Sequence, residues 1–120
     1  MGMQAISGII TGKGLIDLYN RVRPENDNIR YNGAPSLREF VELAKKYPEL
    51  LFEVKHLPGK RTIDVYAVLI PLPTGYYDYY GRSRKAVETV IDILKHADTL
   101  PNTLEYKVIN GKEYCILTWD

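Results

Sequence analysis

The chain has little of what builds covalent staples or metal centres. There is one cysteine, Cys115, and there are two histidines, His56 and His96. A lone cysteine excludes an intrachain disulfide and a zinc site of the usual Cys-rich kind. Neither histidine has a second ligand candidate at helical or strand spacing. The His-hydrophobic-His metal motif of rolling-circle replication nucleases is absent, and so is a nucleophile-elbow sequence that would support a Ser-His-Asp triad. Long apolar runs are missing too. The longest, Val65 to Leu72, contains Pro71, whereas a membrane-spanning helix needs about 20 apolar residues. The formal net charge is only +1, which excludes coating of nucleic acid by bulk positive charge.

The stretch Met1 to Gly12 lacks the basic and apolar regions of a signal peptide. Ile6 stands where myristoylation requires Ser or Thr. A cytoplasmic, reducing location with no membrane association is therefore expected, and no cofactor is implied. Few thermolabile residues beside abundant Lys, Glu and Tyr fit a thermophilic source.

What remains is an ordinary globular composition. With 120 residues, 45% apolar and 26% charged, the chain can bury one core, so residues 1–120 are expected to form a single domain. Gln4 to Thr11 is β-branched and reads as a strand. Leu15, Leu18, Tyr19 and Val22 then recur at helical spacing. Pro24 to Pro35 is a long loop rich in turn formers. Ser36 to Tyr47 reads as a helix with the apolar stripe Leu37, Phe40, Val41, Ala44 and Tyr47. A capping box joins Ser36 to Glu39, and Pro48 stops the helix.

Leu50 to Leu57 and Lys60 to Ile70 read as two strands joined at Pro58-Gly59. An even register, Val54 against Ile63 and Phe52 against Val65, pairs apolar with apolar. Ser83 to Asp98 is a second strong helix with Val87, Val90, Ile91, Leu94 and Ala97 inward. Leu104 to Trp119 is a hairpin around Asn110-Gly111. Counting from that turn puts Leu104, Tyr106, Val108, Cys115, Leu117 and Trp119 on one face, the expected core side. Tyr114, Ile116, Glu105 and Lys107 fall on the other.

The expected class is α+β: an antiparallel sheet with helices on one face, in the order β-α-α-β-β-α-β-β. Leaving out one helix and the last strand, this contains the ferredoxin-like split β-α-β-β-α-β arrangement.

Three sets of residues carry candidate chemistry. Gly8 to Gly14 superficially has the look of a phosphate loop, but it has three residues between Gly8 and Gly12 and Gly14 after Lys13, so it reads as a strand-to-helix turn. Glu53 and Lys55 share a strand face, and the expected register sets Asp64 opposite Glu53. Two carboxylates and a lysine could hold a divalent metal and assist phosphodiester hydrolysis. Glu-x-Lys is also half of the restriction-endonuclease-like signature, though the partner Asp and the following helix are missing.

The richest segment is Tyr76-Tyr77-Asp78-Tyr79-Tyr80-Gly81-Arg82-Ser83-Arg84-Lys85. With Ser83 as helix cap, Arg82, Arg84 and Lys85 would crowd a helix start that disfavours cations, as if to receive an anion. Tyr79 and Tyr80 offer stacking faces, and Lys60 and Arg61 beside the Pro58-Gly59 turn add a second basic group. Single-stranded nucleic acid or another phosphate-bearing ligand is the expected partner. The alternatives are a homodimer formed through the C-terminal hairpin or the tyrosine loop, with Tyr114 and Ile116 exposed, and a metal-dependent nuclease using Glu53, Asp64 and Lys55.

Overall fold

The computed structural model describes residues 5–72 and 79–120; for residues 79–83 the backbone alone is described. The elements are β1 (Ile6–Thr11), α1 (Gly12–Val22), α2 (Leu37–Lys46), β2 (Leu51–His56), β3 (Asp64–Pro71), α3 (Tyr79–Lys95), β4 (Thr103–Ile109) and β5 (Lys112–Thr118). They form one five-stranded antiparallel sheet in the order β1-β2-β3-β5-β4, with the three helices on one face, so the expected α+β class holds.

The strand order follows from counting chain reversals. Two helices separate β1 from β2, so the chain returns antiparallel and β2 pairs directly with β1. A single helix separates β3 from β4, and β5 runs antiparallel to both, between them. β3-α3-β4 is therefore a split unit, with two parallel strands parted by a third. The first half of the chain is not, because the added helix α2 changes the parity. The split arrangement occurs once, where the ferredoxin-like pattern has it twice.

Local signals explain the ends of the elements. Thr11 caps α1, its hydroxyl accepting from the Gly14 amide at 3.0 Å, while the Gly12 amide donates to the Leu50 carbonyl at 3.1 Å. The Gly12 and Gly14 amides are thus spent on protein acceptors. Ser36 and Glu39 form the capping box of α2, as the sequence predicts. Asn110 and Gly111 both have positive φ, which the tight β4–β5 turn needs. The core joins Leu15 and Leu18 of α1, Phe40 and Val41 of α2 and Ile93 of α3 to Phe52, Val68, Ile70 and Leu117 of the sheet.

The β2–β3 register differs from expectation. Val54 lies opposite Val65 and Phe52 opposite Val68, with a bulge at Tyr66. The turn Leu57-Pro58-Gly59-Lys60 forms as expected, the Lys60 amide donating to the Leu57 carbonyl. Residues 61–63, however, do not zip onto β2. The 23–26 segment captures them instead. The Glu25 amide donates to the Arg61 carbonyl at 2.8 Å. The buried Asn26 side chain holds both the amide and the carbonyl of Ile63, at 3.2 and 3.1 Å. The Arg61 guanidinium donates to the Arg23 carbonyl at 3.0 Å. His56 turns inward and its Nδ1–H donates to the Thr62 carbonyl at 2.9 Å, so it does not face Arg61.

Candidate functional site

α3 begins at Tyr79, more than a turn before Ser83. Ser83 is therefore inside the helix and is not its cap, which corrects the sequence expectation. Arg82, Arg84 and Lys85 follow the first helical residues, where the pull of the helix dipole is already fading. Arg84 and Lys85 are exposed. Lys85 is paired with Glu49 at 3.3 Å, on the rim of a cleft of about 300 Å³ lined also by Ile70, Leu72 and Thr89. Tyr76, Tyr77 and Asp78, and the side chains of Tyr79, Tyr80, Arg82 and Ser83, lie outside the described residues.

Lys60 and Arg61 do not join Lys85. Lys60 and Arg61 sit beyond the start of β3, whereas Lys85 meets Glu49 beside its end, so the strand's length of about 25 Å lies between them. Tyr66, at the β3 bulge, is half exposed, but the other tyrosine expected to face outward is not. Tyr114 and Ile116 are buried on the helix-free face with Ala67 and Leu69, contrary to the exposure expected of them.

The carboxylate pair on the same face is also rearranged. The Tyr66 bulge sets Glu53 opposite Ala67 and Asp64 opposite Lys55, so the like-charge juxtaposition does not form. Among the described residues, no group of three or more His, Cys, Asp or Glu could hold a metal ion.

A polar network that the sequence reading missed ties α2 to α3. Asp92 accepts from Lys46 Nζ and from the Tyr47 hydroxyl, each at 2.6 Å, and these two bonds hold its carboxyl below the usual carboxylate range. Glu39 accepts from the Ser36 amide and lies 3.0 Å from His96 Nδ1 and 2.8 Å from Arg30. Burial alone would raise its pKa, but these partners outweigh it and the pKa is lowered. The partners from α2 and α3 are far apart in sequence, so no local motif could reveal the link between the helices.

This network fixes the rotation of α3. Lys85, Asp92 and His96 share the flank that faces α2 and the start of β2. At about 3.6 residues per turn, Ala86, Val90 and Ile93 then point at the sheet, and Val87 and Ile91 lie on the flank away from α2. Both were expected in the core, but they are 57% and 48% exposed.

The neighbouring surface behaves in the same way. Leu104, Tyr106 and Val108 project from β4 on the helix-covered side of the sheet, as the hairpin register requires, yet they are not buried. They are 68%, 60% and 52% exposed. The hydroxyl of Tyr106 is held by Glu113, which raises its pKa. The exposed apolar residues of α3 and β4 thus lie on the same side of the sheet, and together they are termed the α3–β4 shelf. At its outer side, among the described residues, no strand pairs with β4. Comparison with known proteins finds no matching family, no similar characterised protein and no similar solved structure.

Proposed function

We propose that the protein is a homo-oligomeric interaction module whose interface is the α3–β4 shelf. One observation carries the proposal: five side chains whose spacing marks them as core are left in water by the single chain. They are Val87, Ile91, Leu104, Tyr106 and Val108. Contiguous exposed apolar patches on a folded chain mark surfaces that are covered by a partner. The shelf also ends in an edge strand that no other strand pairs among the described residues, and proteins otherwise blunt or cover such edges. A cytoplasmic setting belongs to the same proposal and is supported by the single cysteine. Among the described residues, no helix is long and apolar enough to cross a membrane.

Sedimentation velocity at micromolar concentration tests the proposal. The expected result is a dimer or higher assembly that Ile91→Lys/Leu104→Lys converts to a folded monomer. A wild-type monomer throughout that range overturns it.

A second reading, binding of single-stranded nucleic acid or another phosphate-bearing ligand, is supported by the exposure of Arg84 and Lys85 near the start of α3. Fluorescence anisotropy with a labelled single strand should then show binding that weakens with salt and in Arg84→Ala/Lys85→Ala. Equal affinity in that variant removes it.

A further inference from the structure

From the sequence of β4 and its place at the sheet edge, we propose that two copies of the chain join by antiparallel pairing of β4 with β4, in a register centred on Tyr106. The inference rests on the interface proposed above and specifies how it closes.

The strand reads Thr103-Leu104-Glu105-Tyr106-Lys107-Val108-Ile109. Around Tyr106 it is self-complementary. A two-fold axis through that residue sets Leu104 opposite the partner's Val108 and Glu105 opposite the partner's Lys107. Tyr106 meets the partner's Tyr106. All three apolar pairs fall on the helix side of the sheet, and both charged pairs on the other side.

Faces and charges together select this register. Residues directly opposite in an antiparallel pair must share a face, so a shift by one residue is excluded. Moving the axis to Glu105 opposes two glutamates, and moving it to Lys107 opposes two lysines. Like charges directly opposite are destabilising.

Across from Glu105 on β5 is Ile116, and across from Lys107 is Tyr114. Among the described residues neither meets an opposite charge. An isologous contact supplies both partners at once, because every pair off the axis occurs twice. It also satisfies the outer backbone groups of β4 and continues the sheet across the dimer. The strip of Leu104, Tyr106 and Val108 from both copies then lies on the same side of the sheet as Val87 and Ile91.

The test is a charge swap read as a dimer dissociation constant by sedimentation equilibrium. Glu105 and Lys107 are exposed, so the fold should survive, as a circular dichroism spectrum will show. Glu105→Lys and Lys107→Glu should each weaken the dimer about tenfold or more, since each creates two like-charge pairs. Glu105→Lys/Lys107→Glu should restore it, and the two single variants mixed together should form a heterodimer.

A second measurement does not depend on charge. Tyr106→Cys in a Cys115→Ala background should link to its own copy with oxidised glutathione, because directly opposed Cα atoms lie about 4.5–5.5 Å apart, within disulfide reach. Leu104→Cys should link to Val108→Cys more readily than to itself. A wild-type dimer that is indifferent to the single swaps and unlinked through Tyr106→Cys overturns the strand pairing but leaves the shelf as interface. A wild-type monomer overturns both.

Discussion

Single side chains decide the shape of the molecule at two places. Asn26 is one. It is buried, and its amide group satisfies both backbone groups of Ile63 while also donating to the Tyr31 hydroxyl at 3.2 Å. Asn26→Ala would strand a buried amide and a buried carbonyl, so the expected loss is about 2–3 kcal/mol in urea denaturation, with residues 61–63 losing amide-exchange protection first. Asp92 is the other. Its folded pKa is depressed below 3.8, so the stability it contributes is complete above that value and disappears as pH falls below it toward the folded pKa. Lys46 is 64% exposed, and the solvent screening this implies limits the contribution. Asp92→Asn should therefore cost only about 1 kcal/mol near neutrality. The gap between wild type and variant should close as pH falls below the ordinary carboxylate range. A gap that persists in acid would mean that packing, not charge, is what Asp92 supplies.

At the scale of elements, α2 gives the sharpest expectation. Ser36→Ala removes the hydroxyl that accepts from the Glu39 amide, and should lower stability by about 1 kcal/mol. Glu39→Gln can keep the capping box, but it loses the ion pair to Arg30 and should loosen the contact between α2 and α3. Comparing the two variants by thermal melts separates cap from clamp. α2 is also the element most legible in the sequence, because stripe, cap and stop signal all lie within a dozen residues and agree. The β4–β5 hairpin was legible for the same reason: Asn110-Gly111 sets the register, and alternation assigns the faces. The β2–β3 register was not. Alternation assumes one residue per step, and the bulge at Tyr66 adds one. The pull of Asn26 on Ile63 is a long-range contact that no local window contains. The start of α3 was misplaced because Ser83 has the chemistry of a cap, although the helix already runs through it from Tyr79. For the candidate site, periodicity marked Val87, Ile91, Leu104, Tyr106 and Val108 as core residues, and the structure leaves all five exposed. Periodicity could not show that their cover is missing from the single chain.

For the whole molecule, an interface made of core-type residues couples assembly to folding. If the shelf closes only between copies, unfolding of the dimer yields two chains, and its midpoint must depend on protein concentration. A tenfold rise in concentration adds about 1.4 kcal/mol per mole of dimer, which for two chains of this length corresponds to about 3 °C in Tm. Ile91→Lys/Leu104→Lys should abolish that dependence and leave a lower, constant Tm. Ile93→Ala makes the contrasting control. Ile93 is fully buried beneath α3, so its truncation should cost about 2–5 kcal/mol while the slope of Tm against concentration stays intact. Calorimetry across two decades of concentration distinguishes the cases. A wild-type Tm that does not move with concentration would make the shelf a surface the folded monomer tolerates, and the five exposed apolar side chains would need another partner.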